Sequence, residues 1–472
     1  MNARRLFLFT LSLTVAAVTA PAMAKVAVNP VFSDNAVLQR DIKIPVWGIA
    51  NDGEKVTVKF NGQEVSTTAK GGNWRVDLAP VKAGGPFELT IAGENTITLK
   101  NILVGEVWIA SGQSNMQWSV KQSDKPEETV AASANPQIRL LTVTRRATPL
   151  PQTDIPADNK WVECGPSTVG EFSAVAYHFG ADLAKHLKVP IGLISTNYGG
   201  TPAEAWTSKE AIAADPTLKA YHGVAANDKP NSPSGLYNAM INPLIPYGIR
   251  GAIWYQGESN AARAYEYRTL FTTMIKDWRA RWGEGDFPFL LVQLAPFTAI
   301  KPEPGDSDWA ELREAQYLAT KTLPNVGMAV ITDLGDEKDI HPKWKQPVGH
   351  RLALAARAMV HGEDVEHCGP VLASKTIEGD KVVLTFDHAK GGLTAKNGAL
   401  TGFTVAGEDR KFVRAMAEID GNKIIVSSPD VPKPVAVRYG WANFPVVNLF
   451  NKADLPATPF RTDEFPGVTQ PK

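Results

Sequence analysis

The sequence predicts an α/β protein in which a parallel sheet and its helices lie between two β-rich segments. Three observations carry this. Apolar runs alternate with amphipathic stretches in the middle of the chain, period-two alternation marks both flanks, and the chain is too long for one core. At 472 residues it exceeds the roughly 250–300 at which a single hydrophobic core stops growing. Forty-nine basic residues against 49 acidic ones, and 44% hydrophobic residues, are ordinary for globular proteins and exclude extensive disorder.

Residues 1–24 read as a targeting signal. Arg4 and Arg5 precede an apolar stretch from Leu6 to Ala20, and Ala22, Met23 and Ala24 form a small-x-small cleavage site. Cleavage after Ala24 leaves 47 basic against 49 acidic residues, and an exported chain, periplasmic or extracellular. No later run is long enough to span a bilayer. The balanced charge offers no field for nucleic acid or an anionic membrane surface. Cys164 and Cys368 make no disulfide framework, and one disulfide or two buried thiols both fit. Their spacing to histidine fits no zinc pattern except the isolated His367-Cys368 pair.

Residues 25–100 carry short alternating runs, Lys55–Phe60 and Trp74–Leu78, broken by Asn61-Gly62, Gly71-Gly72 and Gly84-Gly85. They read as a small β-sandwich. From 101 to 362 the pattern becomes strand then helix. Phe172, Val175, Ala176, Phe179, Leu183 and Leu187 share one face of a helical stretch over 171–187. Alternation returns over 363–472, in Lys381–Phe386 and Lys423–Ser427, as a C-terminal β domain.

Five apolar runs supply the parallel sheet: Val107–Ala110, Ile191–Ile194, Gly251–Trp254, Phe289–Val292 and Val326–Ile331. Ligands of open α/β sheets bind beyond the carboxyl ends of the strands. Polar, glycine-containing loops follow four of these runs: Ser111–Met116, Asn197–Thr201, Gln256–Asn260 and Asp333–His341.

Gly112 permits a tight turn that would present Ser114 as a nucleophile. Met116 stands where the G-x-S-x-G elbow requires glycine, so the turn is of another kind; an N-cap reading of Ser114 competes. His341 lies in the last loop, before Pro342, where its neutral imidazole could take and return the serine proton. Asp339 is the candidate orienting acid, with Asp333 and Asp336 as rivals. Gly199, Gly200 and Gln256 could donate hydrogen bonds to a developing oxyanion, each worth about 3 kcal/mol. Glu258 fits either substrate binding or a structural ion pair with Arg263. Trp118 and Trp206 lie beside these loops, where an indole could stack on a ligand or simply join the core.

Together these blocks resemble the sialate O-acetylesterase family of the SGNH hydrolase superfamily. The resemblance rests on Gly105–Met116, Asn197–Trp206, Tyr237–Met240, Trp254–Asn260 and Asp339–Pro342, with Arg438–Asn443 and Asn451–Pro456 near the C-terminus. It implies a three-layer α/β/α (flavodoxin-like) hydrolase domain, flanked by β-sandwich-like domains, that removes acetyl groups from sugars through an acyl-serine and without a metal or cofactor. Ser114 would be the nucleophile, His341 the base, and the N–H groups of Ser114 and Gly199 or Gly200 oxyanion donors. Gln113, Trp206 and Glu258 would contact substrate. Two positions depart from the family pattern. Lys338 occupies the place of an Asp three residues before the histidine, leaving a triad with Asp339 or a Ser–His dyad. Gly257–Asn260 replaces Gly-x-Asn-Asp, leaving Gln256 or Asn260 as the third donor. The competing reading is a secreted carbohydrate-binding protein with a degenerate hydrolase centre.

Overall fold

The computed structural model describes residues 25–471; the expected targeting signal lies outside them. The middle of the chain forms β1 (Thr96–Gly112), β2 (Asn135–Thr142), α1 (Ala174–Leu187), β3 (Ile191–Asn197), β4 (Gly251–Tyr255), α2 (Ala264–Trp282), β5 (Phe289–Val292), α3 (Asp308–Thr322), β6 (Val326–Ala329) and α4 (Lys345–Met359). The six strands pair in parallel in the order β2-β3-β1-β4-β5-β6, so the architecture is mixed α/β around a parallel sheet. All five apolar runs are strands of it. β2 carries no comparable sequence signal, because it opens on Asn135-Pro136 and buries Arg139 among its apolar residues.

The sheet is covered on both faces, which is why its strands read as unbroken apolar runs. Val107 and Ile109 of β1 join the core that holds Leu270, Phe271 and Trp278 of α2 and Leu312 of α3. Trp108 and Ala110, one residue out of phase, join Val175, Phe179 and Leu183 of α1 and Leu352 of α4. α1 starts where the Ser173 hydroxyl accepts the Ala176 N–H, the side-chain cap that a helix N-terminus needs.

β1 runs 17 residues and belongs to two sheets. Its first half pairs antiparallel with Gly84–Ala92 and, over residues 103–105, parallel with Val37–Gln39; its second half is the centre of the parallel sheet. Glu106, on this strand and fully buried, accepts from Arg40 and Arg250 and so ties the N-terminal strands to the rest. Asn61 and Gly62 (φ 44° and 77°) form the tight turn between Lys55–Phe60 and Gln63–Thr68, where two positive φ values suit the twist of a hairpin. Gly84-Gly85, read from sequence as a break, instead opens a strand. The C-terminal segment forms antiparallel sheets around its own core of Val382, Leu384, Phe403, Val405, Ile424 and Tyr439. Both cysteines are free, and burial pushes each thiol up to about 12. Among the described residues no helix is long and apolar enough to cross a membrane.

Arg313 of α3 joins the C-terminal segment to the sheet. It is fully buried and donates to the carbonyls of Leu294, Ala295, Ala442 and Asn443, while burial lowers its pKa to about 9. Each carbonyl left without a donor costs about 1 kcal/mol or more. Arg313→Met is therefore expected to destabilise the protein by roughly 2–4 kcal/mol, read as a lower midpoint in urea with the C-terminal segment cleaved first in limited proteolysis.

Candidate active site

The parallel register sets three loops level with one another. Gly112, the last residue of β1, is the partner of Asn197 on β3 and of Tyr255 on β4. The chain passes from β3 to β4 across β1, so the strand order reverses around β1, where open α/β sheets hold their ligands. Gly112 has φ 136°, and a Cβ there would sit 2.2 Å from the Tyr255 carbonyl oxygen. No other residue lets the backbone turn so close to β4. Gln113 N–H donates to that same carbonyl, and a short helix over Ser114–Gln117 follows.

This turn points Ser114 at the loop after β6. Ser114 Oγ lies 2.9 Å from His341 Nε2, and the imidazole stacks on Trp118 at 4.6 Å between centroids and 12° between planes. Asp339 Oδ1 is 3.4 Å from His341 Nδ1 and also accepts the His341 backbone N–H at 2.9 Å. Its side chain is 43% exposed, so water competes for it. The rival acids are engaged elsewhere. Asp333 makes a two-pronged pair with Arg351, and Asp336 accepts the N–H groups of Lys338 and Asp339. Burial and the Lys345 charge hold His341 below its ordinary pKa, with Asp339 pulling the other way.

The expected donors divide into two groups. Gly199 lies against Ser114, its would-be Cβ 3.3 Å from Ser114 Cβ, and its N–H donates to Gln117 Oε1 at 2.7 Å. Gly200 is exposed, with φ 72°. Ser114 N–H, in the first turn of its helix, has no helical carbonyl to reach. Gln256 and Asn260 are different: both are fully buried and their amides are committed. Gln256 Nε2 donates to Asn260 Oδ1 and Thr201 O, and its Oε1 accepts from Tyr267. Asn260 Nδ2 donates to Glu204. These bonds brace the loops after β3 and β4 against each other.

Two of the three expected substrate contacts are also inside, and the third, Glu258, is half-buried with one carboxylate oxygen out of reach of solvent. Trp206 is fully buried, donates to Thr201 Oγ1 and packs edge-on against Trp254, leaving no face for a sugar. Gln113 is buried, its amide oxygen accepting the Ser259 N–H. The Glu258 carboxylate accepts from Asn115 and is buried, which raises its pKa. Arg263, its expected partner, pairs with Glu204 and Glu266 instead. Sequence reasoning passed over Gln117, Asn115 and Lys345. Gln117 follows Ser114 by three residues, a helical spacing that puts it beside the serine. Nothing in the pattern around Lys345 marks it as buried. A polar groove of about 670 Å³ opens beside Gln117, lined by Arg145, Asp158, Asn159, Lys160 and Glu171 among others. No three His, Cys, Asp or Glu side chains among the described residues are grouped to hold a metal.

Comparison with known proteins gives the class first, that of the carbohydrate esterases. Residues 104–358 match the family described as carbohydrate esterase, sialic acid-specific acetylesterase. The sialate O-acetylesterase of Homo sapiens is 32% identical over 488 aligned residues, covering 92% of each chain. That of Mus musculus is 30% identical, covering 88% of this chain and 90% of its own. A carbohydrate acetylesterase from Xanthomonas citri, known from its crystal structure, shares 40% identity over 93% of this chain and 100% of its own, with a TM-score of 0.86. The chain belongs to the sialic acid-specific acetylesterase family.

Because the position of the Ser114 turn depends on a missing side chain, Gly112→Ala is expected to displace that turn by a few tenths of an ångström or more. A fall of about 100-fold in ester hydrolysis, with the melting temperature lowered by only a few degrees, is the expected result.

Proposed function

We propose that this protein is a serine esterase, sialate 9-O-acetylesterase-like, that removes O-acetyl groups from sugars through an acyl-serine. The observation that carries the reading is the 2.9 Å contact between Ser114 Oγ and His341 Nε2 at the carboxyl rim of the sheet. The finer description of the fold belongs with it: a three-layer α/β/α SGNH hydrolase domain with β-sandwich-like flanks. The leader at residues 1–24 supports export.

His341 Nε2 takes the Ser114 proton as Oγ bonds to the acetyl carbonyl carbon. The carbonyl oxygen becomes an oxyanion, to which the N–H groups of Ser114 and Gly199 donate once the Gln117 amide swings off Gly199. Collapse breaks the bond to the sugar oxygen, which leaves with the proton from His341. Water then attacks the acetyl-serine by the same route and releases acetate. Asp339, at 3.4 Å from Nδ1, favours the tautomer with hydrogen on Nδ1. It acts as a loose orienting partner, so the centre works close to a Ser–His dyad. The groove beside Gln117 offers donors and acceptors of both signs, which suits a hydroxyl-rich ring. The alternative, a sugar-binding protein with a degenerate centre, does not account for an intact Ser–His pair.

Mature protein is expected to release acetate from acetylated sugars and to label at Ser114 with a fluorophosphonate. Ser114→Ala should lose both by at least 1000-fold, and acetate release that survives the substitution would remove the serine from the mechanism. Only neutral imidazole is a base, and His341 is held below its ordinary pKa. The rate should therefore rise with pH with its midpoint below about 6.5; a midpoint above that value contradicts the assignment of His341.

A further inference from the structure

Asn115 sits next to the nucleophile and is buried. Its side chain touches three other segments. Nδ2 donates to Glu258 Oε1 at 2.6 Å, in the loop after β4, and to the Ile340 carbonyl at 2.9 Å, in the loop after β6. Oδ1 accepts from Lys345 Nζ in the first turn of α4. The amide thus lies between a buried cation and a buried carboxylate, its oxygen toward the positive charge and its nitrogen toward the negative one. All three of its hydrogen-bonding directions that the structure records are used.

We infer that Asn115, held between Lys345 and Glu258, is a positioning residue that locks His341 onto Ser114. Ile340 immediately precedes His341, so the bond to its carbonyl fixes the loop one residue from the base. Asn115 immediately follows Ser114, so the same side chain refers the base to the nucleophile. Asp339 cannot do this alone, being partly exposed and 3.4 Å from the ring. The charges on either side make the amide costly to turn. Lys345 is 1% exposed, and burial lowers its pKa to about 7. Glu258 Oε2 is buried without a hydrogen-bond partner among the described residues. Rotating or removing the amide would strand both charges, and breaking a buried pair in this way is strongly unfavourable.

The network also reaches the imidazole electrostatically. The charged groups that face His341 are Lys345 from α4 and Asp339 from its own loop; Ser114 and Trp118 cover the remaining sides. Lys345 is protonated below about pH 7 and opposes protonation of His341 there. Loss of its charge should raise the His341 pKa and move the acid limb of the rate to higher pH.

This inference rests on the acyl-serine reading, and one set of measurements separates the two. The rate of fluorophosphonate labelling at Ser114 reads activation of the nucleophile without a sugar, and kcat and KM for an acetylated substrate are measured alongside. Asn115→Ala is expected to lower labelling and kcat together by about 100-fold with KM unchanged. Should that variant not fold, the double variant Glu258→Gln, Lys345→Met removes at nearly constant volume the charges that hold the Asn115 amide, and labelling at Ser114 is expected to slow by about 10-fold. The acid limb of this double variant is expected to move up in pH. Folded Asn115→Ala, or folded double variant, that labels as fast as the wild type overturns the positioning role while the acyl-serine reading stands. Wild-type protein that does not label at Ser114 overturns both.

Discussion

The carboxyl end of one strand governs the geometry of this protein. β1 enters from the N-terminal sheet and passes through the centre of the parallel sheet. It ends at Gly112, pressed against the Tyr255 carbonyl. Parallel pairing on both sides puts Asn197 and Tyr255 level with Gly112, so the loops carrying Gly199 and Glu258 emerge beside Ser114. The placement is rigid because both faces of the sheet are packed with helices. A serine on this turn needs no further device to hold it in place, whereas the histidine beside it comes from a loop and does.

That difference explains the distribution of charge around the site. The acid nearest the imidazole, Asp339, is partly open to water, where a carboxylate–imidazole pair is weak. The strongly perturbed groups lie below, where Lys345 and Glu258 are desolvated on either side of Asn115. Buried ionised groups usually cost stability compared with apolar residues of the same volume. Their presence beneath the Ser114–His341 pair fits a need to hold a loop in one arrangement rather than to stabilise the fold. A lowered His341 pKa also keeps the imidazole neutral, and so able to accept a proton, at neutral pH.

The strands of the central sheet were legible because burial on both faces leaves unbroken apolar runs, and the loops were legible because ligand-binding polar residues follow strand ends. Ser114 and His341 stood out by position. Trp206, Gln256 and Asn260 stood in the same loops and were read as facing the substrate, yet each is buried and satisfied by neighbours. A polar or aromatic residue in a loop can point to the rim or back beneath it, and spacing does not distinguish the two. Lys345 was invisible for the opposite reason. A lysine at the start of a helix ordinarily faces solvent, and only the closure of α4 over Asn115 buries it.

Local pattern alone therefore dictated the alternation of strand and helix, the glycine that permits the Ser114 turn, and the serine and histidine at the rim, since each of these is a property of a few consecutive residues. Which strands lie side by side, which amides brace the loops and which charges lose their water were decided by tertiary structure. Those depend on contacts between residues as far apart as Asn115 and Lys345, and desolvation belongs to the packed whole rather than to any segment of the chain.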